Sequence, residues 1–329
     1  MIRRRKLLLT ALTLPAVASF PALSQVAASG YPNKPVRIIV PFGPGGSADS
    51  LPRLVGEKLG ALWGQAVVVE NKVGAAGNIG MTFGARAEPD GYTLTSAPVG
   101  NLAINPHLYP NLGFDVRKDL SLITLVASVE NVLVVNSATG IKTLAELINR
   151  ARANPGKLSF ASGGVGTQAH MGGELINSMA GINMLHVPYK GVGEAVRDVL
   201  AGVVDVMVAQ IPAVLSHIQA GKLVPLGVAS ARPSDVLAGI PTIEAAASLP
   251  GFEAVSWFAL VGPAGLPVAI INKVQRDVSE VLRMPDLQQK LLAMGIKPVG
   301  STPRELSLVL NADYERYGKI IRKLGITAS

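Results

Sequence analysis

Short apolar runs, Gly-rich loops and helical patterns alternate along the first third of this chain. Val36-Arg37-Ile38-Ile39-Val40, bounded by Pro35 and Pro41, predicts a buried strand. The Gly-rich stretch Pro41-Phe42-Gly43-Pro44-Gly45-Gly46-Ser47-Ala48-Asp49 follows, and Ser50 to Leu62 predicts a helix. Ala66 to Glu70 is a second strand pattern, Asn71 to Gly80 a second Gly-rich loop, and about Ile79 to Ala87 a helix. A Pro89-Asp90-Gly91 turn leads to a third strand, Tyr92 to Ser96. The order β-α-β-α-β predicts a parallel sheet with right-handed crossovers. Asn101 to Asp119, with Pro106, Pro110 and Gly113, predicts irregular chain.

The middle of the chain repeats the opening arrangement. Leu120 to Val126 and Asn131 to Asn136 predict strands, and Thr143-Leu144-Ala145-Glu146 is a capping box opening a helix to about Ala153. Lys157 to Ala161 is a strand pattern, followed by Ser162-Gly163-Gly164-Val165-Gly166-Thr167 and a helix from Gln168 to Met179. Strands follow at Met184–Val187, Val204–Ala209, Leu223–Ala229 and Ser256–Val261, with helices at Gly193–Ala201 and Pro212–Ala220 and a short one within Pro233–Pro250. Three helices close the chain: Pro267–Leu282, Asp286–Met294 and Pro303–Lys323, the last opened by the box Thr302-Pro303-Arg304-Glu305. Two strand, Gly-loop and helix units predict two α/β lobes, with ligand at the carboxyl ends of the strands.

The N-terminus adds a targeting segment. Arg3-Arg4-Arg5-Lys6 precedes the apolar stretch Leu7 to Phe20, and Ala22-Leu23-Ser24 and Val26-Ala27-Ala28 end in small residues. This pattern predicts a secretory signal peptide over 1–28, cleaved after 24 or 28, exported by the general route or, given Arg4-Arg5, by the twin-arginine route. The apolar run is shorter than the ~20 residues that span a membrane. Of 329 residues, 49% are hydrophobic and 16% charged, which excludes a disordered chain. The formal charge of +8 loses the four cations of residues 1–30, giving 8 − 4 = +4 for the mature chain. That modest excess, with no basic run among aromatics, excludes a nucleic-acid binder. There is no cysteine, so disulfides and thiolate chemistry are excluded.

Glycines let the loop at Phe42 to Asp49 approach a ligand, and the first turn of the next helix favours an anion. From this stretch alone, a carboxylate or phosphate cradle and an ordinary turn with Ser47 or Asp49 as N-cap are both open. Gly164-Val165-Gly166-Thr167-Gln168-Ala169 fits the dinucleotide fingerprint. The acid that must hold the ribose is missing, however, because the next strand ends Val187-Pro188-Tyr189-Lys190. No P-loop is present, and Ser162 lacks the G-x-S-x-G elbow of a serine hydrolase. His107, His170, His186 and His217 are dispersed, with no metal-ligand spacing. His170 reads as a packed or capping residue. Asp205, a lone carboxylate in an apolar strand, needs a partner, and a backbone N–H or a ligand ammonium both qualify.

A set of collinear motifs then resembles one family. They include Tyr31-Pro32-x-Lys34-Pro35-Val36-Arg37, Val40-Pro41-Phe42-x-Pro44-Gly45-Gly46-x-x-Asp49, Val69-Glu70-Asn71-Lys72, Pro89-Asp90-Gly91-Tyr92-Thr93 and Asn105-Pro106-x-Leu108-Tyr109. Ala153-Asn154-Pro155-Gly156-Lys157, Gly173-Glu174-Leu175 and His186-Val187-Pro188-Tyr189-Lys190-Gly191 continue the set. Together they cover the mature chain and resemble the Bug-type, TctC-like solute receptors of tripartite tricarboxylate transporters. One departure is Asn71 to Gly77, where members more often carry Arg-Pro and a further Gly.

The resemblance implies an α/β, periplasmic-binding-protein-like (Venus flytrap) fold, each lobe a mostly parallel sheet flanked by helices. Lobe one is then 31–131 plus 254–329, and lobe two 132–253. It implies a periplasmic, monomeric, non-catalytic protein that needs no cofactor or metal and captures a di- or tricarboxylate, acidic amino acid or aromatic acid. Its partners would be the large and small membrane subunits of the transporter; a sensor protein as signalling partner is the alternative, and an exported enzyme acting on a small acid a further one. By the same resemblance Phe42, Gly45, Gly46, Ser47, Asp49, Ser162, Gly163, Gly164, Gly166 and Thr167 contact the carboxylate, Ser96 and Ala97 line the cleft, and Asp205 stands at its distal end. Two opposed helix ends, each contributing about 0.3–1 kcal/mol or up to ~2 when partly buried, plus several hydrogen bonds, suit micromolar binding, which requires about 8 kcal/mol.

Overall fold

The computed structural model describes residues 30–328, so the expected signal peptide lies outside the described residues. The chain runs β1 (Val36–Val40), α1 (Ser47–Trp63), β2 (Val67–Asn71), α2 (Asn78–Ala85), β3 (Thr93–Pro98), a buried π-turn (Gly100–Ile104) and α3 (Asn105–Leu108). It continues through β4 (Leu120–Val129), β5 (Asn131–Asn136), α4 (Leu144–Ala153), β6 (Ser159–Ser162), α5 (Gln168–Ala180), β7 (Leu185–Pro188), α6 (Val192–Leu200) and β8 (Val206–Gln210). It ends with α7 (Ile211–Gln219), β9 (Leu223–Val228), α8 (Ile243–Ala247), β10 (Ser256–Pro263), α9 (Val268–Leu282), α10 (Pro285–Ala293), β11 (Ile296–Pro298) and α11 (Pro303–Leu324).

The strands form two sheets. The first has the order β11-β4-β10-β3-β1-β2 and the second β7-β6-β8-β5-β9. In the first, β1, β2, β3 and β4 share one direction, with β10 and β11 reversed; in the second, β6, β7, β8 and β9 share one, with β5 reversed. Each sheet is therefore mixed, its majority direction broken by an inserted antiparallel strand, β10 or β5. Both faces of both sheets carry a core. Val36, Ile38, Leu94 and Phe258 pack under α1, α9 and α10, and Ala97, Leu125, Trp257 and Ala259 pack on the other face with Leu306, Leu310 and Tyr317 of α11. Leu133, Val135, Phe160, Val206 and Val208 pack on α4 and α5, and Val132, Val134, Ala161, Met207 and Ala209 on α6 and α7. Burial on both sides explains why the strands read as continuous apolar runs.

Local signals resolve in detail. Helix α1 begins at Ser47, three residues before the predicted start, and its N-cap is Gly46, not Ser47 or Asp49. The Thr302–Glu305 box forms completely. At Thr143 only half forms: Thr143 accepts the Glu146 N–H, while the Glu146 carboxylate takes the Lys142 N–H instead. Among the described residues no helix is long and apolar enough to cross a membrane.

The chain passes between the sheets twice, from β4 to β5 and again ahead of β10. The crossings are stapled by Asn131, whose Nδ2 donates to the Ala254 carbonyl and, at 3.1 Å, to Ser256 Oγ.

Candidate functional site

A cavity of about 80 Å³ lies between the two sheets. That is well above the ~10–15 Å³ needed to admit a single water. One wall is Phe42, Gly46 and Ala48, from the β1–α1 loop and the start of α1. Pro98 ends β3, and Val99 and Gly100 follow it. Gly163, Thr167, Gln168 and Ala169 come from the β6–α5 loop and the start of α5, and Gly191 and Val192 from the start of α6. Met207 to Gln210 bring in the end of β8, where α7 begins, and Asn131, Ser256 and Phe258 form the floor at the crossings. Four helix N-termini thus converge on one small cavity, and no side chain lining it is charged. Their positive ends and backbone N–H groups make it a site for an anion without a formal cation.

The first loop is opened by Gly45, whose φ of +100° suits only glycine. No side chain caps α1, and the Ser47 N–H instead donates across the cleft to Gln210 Oε1 at 3.3 Å. The second loop is built more tightly. Gly164 and Gly166 have φ of +127° and +82°. Thr167 Oγ1 donates to the Gly164 carbonyl at 2.7 Å and accepts the His170 N–H, capping α5. The Gly166 N–H donates to His170 Nδ1 at 3.2 Å. Beneath it, Ser162 Oγ meets His186 Nε2 at 2.7 Å, and the His186 ring stacks between His170, at 4.1 Å, and Phe160, at 4.8 Å. A column of rings therefore sets the height of the loop.

Burial favours neutral imidazole in this column, pushing His170 down to about 4 and His186 down to about 3, the latter helped by His170. An unfolded chain binds those protons near pH 6.5. The unfolded state therefore carries more protons below that pH, and stability is full above about 6.5 and lost as pH falls towards 4. Glu174, 3.8 Å from His170 Nε2, is pushed up by burial and so takes a proton more readily when folded, which offsets part of the loss as pH falls towards its ordinary range. The expected result is a thermal midpoint that falls between pH 6.5 and 4, and less steeply in His170→Gln. A flat profile would mean that the column tolerates charge.

Of the residues picked out in the sequence, Phe42, Gly46, Gly163 and Thr167 line the cavity. Gly45, Gly164 and Gly166 shape the loops without lining it. Ser47 is buried and offers its backbone N–H, while Ser162 serves the ring column. Ser96 and Ala97 are buried within β3, and the cavity is reached one residue later, at Pro98. Asp49 faces away from the cavity. Burial pushes its carboxyl up, but hydrogen bonds from Arg53 and Asn71 outweigh that and hold it low.

For Asp205, the structure supplies the backbone partner. The residue precedes β8, at the opposite end from Gln210, and its carboxylate accepts the Ser159 N–H at 2.8 Å and the Ser159 hydroxyl at 3.0 Å. That pairing is the partner an isolated carboxylate needs, and Asp205→Asn is expected to leave ligand affinity unchanged within about twofold, since a single lost interaction would exceed that. A tenfold loss by calorimetry would return Asp205 to the ligand. The residues that sequence reasoning missed are Gln168, Gly191, Val192 and Gln210. The one available signal was Pro212, which marks the start of α7 directly after a strand end.

Two mixed sheets joined by two crossings, with an uncharged cleft at strand ends and helix N-termini, define a two-lobed solute-binding protein of the periplasmic type. The chain belongs to the Bug-type TctC family: the description "Tripartite tricarboxylate transporter family receptor" matches residues 51–326. It is similar to Protein BugT of Bordetella pertussis, 36% identical over 313 residues, 94% of this chain and 95% of that one. The solved structure of R. palustris Rpa4515 with adipate is 32% identical, covers 90% of this chain and 99% of its own, and superposes with a TM-score of 0.87. MatC from Rhodopseudomonas palustris with bound malate is 28% identical, with coverages of 88% and 100% and a TM-score of 0.83. The family and these neighbours are binding proteins, not enzymes.

Proposed function

We propose that this protein is an extracytoplasmic receptor that captures a small carboxylate between two lobes, 31–131 plus 254–329 and 132–253, and delivers it to the membrane subunits of a tripartite tricarboxylate-type transporter. The observation that carries this reading is the convergence of four helix N-termini on a cavity without a charged side chain. Such a cavity suits an anion whose charge is met by N–H groups, hydroxyls and amides. Relatives solved with adipate and with malate support the ligand class. Relatives described as periplasmic, with the cationic and apolar N-terminal segment, support export.

Ligand contacts fall to Phe42, Gly46, Gly163, Thr167 and Gln168, with the Ser47 N–H completing the first wall. The two sheets hold the proposed lobes apart in sequence, and contacts across the cleft close them. Beside Ser47–Gln210, Tyr109 Oη donates to the Val165 carbonyl at 3.3 Å. The carboxylate would add bonds to both walls, so closure and binding are one event.

The test is a thermal-shift panel of acetate, succinate, adipate, malate, citrate, benzoate and aspartate. An acid at 100 times its Kd should stabilise by about 2.7 kcal/mol. A panel in which no carboxylate raises the midpoint would overturn the reading.

A further inference from the structure

Five polar side chains line the cavity: Asn131, Thr167, Gln168, Gln210 and Ser256. A bound anion needs donor hydrogens, and four of the five turn theirs elsewhere. Asn131 Nδ2 donates to the Ala254 carbonyl and, at 3.1 Å, to Ser256 Oγ. The Ser256 hydroxyl donates back to Asn131 Oδ1 at 3.3 Å. Thr167 Oγ1 donates to the Gly164 carbonyl at 2.7 Å. Gln168 turns its Nε2 onto the Tyr317 hydroxyl at 2.7 Å, and its Oε1 is sealed, which leaves that residue only its backbone for the ligand.

Gln210 is the exception. It ends β8 and is the N-cap of α7, yet its side chain caps nothing. Its backbone is held from two sides, by the ladder opposite Asn131 of β5 and by the neighbouring Ile211 N–H on the Glu130 carbonyl. Its Oε1 accepts the Ser47 N–H at 3.3 Å. A backbone N–H can bond only the oxygen end of an amide, so this contact decides which end is which. The nitrogen end therefore points away from Ser47. Among the described residues nothing accepts from Nε2, and that nitrogen, on a half-buried residue, is not one of the polar atoms sealed without a partner. Two amide hydrogens remain free on the wall of a cavity with no charged side chain.

We propose that Gln210 is a specificity-determining ligand contact that donates its amide NH₂ to an oxygen of the bound carboxylate. The proposal rests on the carboxylate-receptor reading and names the side chain that supplies the donor. Because Ser47 holds the amide oxygen, only hydrogens are offered to the ligand. The ligand must bring an acceptor to this wall, and an ammonium at the same place finds nothing to accept from it.

The experiment uses the full mature chain and whichever of acetate, succinate, adipate, malate, citrate and benzoate gives the largest midpoint rise. Calorimetry on Gln210→Leu is expected to show binding about 10- to 100-fold weaker, the range for a hydrogen bond to a charged group. Gln210→Met, which keeps the reach of the side chain, should lose as much, because the donor and not the bulk is missing. Gln210→Glu separates a ligand contact from a structural role. One oxygen of the introduced carboxylate can still accept the Ser47 N–H, while the other meets the ligand where hydrogens stood. Binding at about pH 8 should be weaker by about 100-fold or more. At about pH 6.5 this variant should bind severalfold more tightly than at the higher pH, and any binding should take up about one proton more than in wild type, since two facing carboxylates cannot both stay ionised.

If a variant lowers the unliganded midpoint enough to obscure titration, the shift of the Gln210 side-chain amide resonances of wild type on adding the acid provides the readout. Unchanged affinity in Gln210→Leu and Gln210→Met, amide resonances that do not move, or a Gln210→Glu variant that binds without the extra proton would each overturn the proposal while leaving the carboxylate reading intact. A wild type that binds none of the six acids would overturn both.

Discussion

Ser47→Pro is expected to weaken capture of the carboxylate by about 10- to 100-fold while leaving α1 in place. Ser47 is the first residue of that helix, where proline is favoured because its fixed φ suits the helix and the missing N–H has no intrahelical partner. The residue before it, Gly46, has φ −116° and ψ 171°, the extended conformation a following proline demands. The lost hydroxyl is buried without a partner, so its removal leaves no broken bond. What disappears is one N–H at the cleft wall, the group that now reaches Gln210 on the other side. Calorimetry on the tightest acid of the panel, beside a thermal midpoint, separates the two effects. An unchanged Kd with an unchanged midpoint would remove the start of α1 from the anion site.

Gly166→Ala is expected to cost about 2–4 kcal/mol of stability and to abolish tight binding. The φ of +82° strains any residue with a Cβ. The new methyl would sit 2.0 Å from Asn105 Oδ1 and 3.2 Å from Leu108 Cδ1. Asn105 has little freedom to retreat: it is 1% exposed, and its Nδ2 donates to Asn78 Oδ1 at 2.7 Å and to the Ala76 carbonyl at 3.3 Å. The loop must lift instead, which breaks the Gly166 N–H bond to His170 and moves Thr167 off the cavity. Chemical denaturation measures the first effect and titration the second. A variant that unfolds within 1 kcal/mol of wild type would show that the loop is compliant.

Much of this architecture is legible in the chain because local and tertiary demands coincide. The units at β1–α1 and β6–α5 combine an apolar run, glycines at positive φ and an amphipathic helix, and each signal suffices to place them. Helix α1 starts at Ser47, earlier than the expected Ser50, with Gly46 as its N-cap and Pro52 inside it. Asn101 to Asp119 reads as irregular, yet Gly100–Ile104 is wholly buried as a π-turn, an outcome of packing under α11 that no local pattern announces. Strand β11, three residues long, is too short to show periodicity.

At the site, the two glycine loops are visible as a pair, while the other two helix starts are legible only as helices and not as part of the cavity. Gly191 and Gln210 reach the cavity only because β7, β6, β8 and β5 lie side by side in the second sheet, an order set by non-local pairing. The partner of Asp205 is hidden for a related reason. A lone acid in an apolar run leaves a backbone N–H and a ligand equally open, and the partner found is Ser159, 46 residues away and adjacent only through the pairing of β6 with β8.

The placement of β10 has a consequence for synthesis. It pairs with β3 on one side and β4 on the other, so the first sheet has a gap at its middle until residues 256–263 exist. Every strand of the second sheet lies between residues 131 and 228, and that sheet can be complete beforehand. The half of the molecule whose strands begin first is therefore expected to finish last, built around a guest that is already folded. A chain ending at residue 250 should then show amide-exchange protection in β5 to β9 and little in β1 to β4. Protection of both halves would mean that the host does not wait for its central strand.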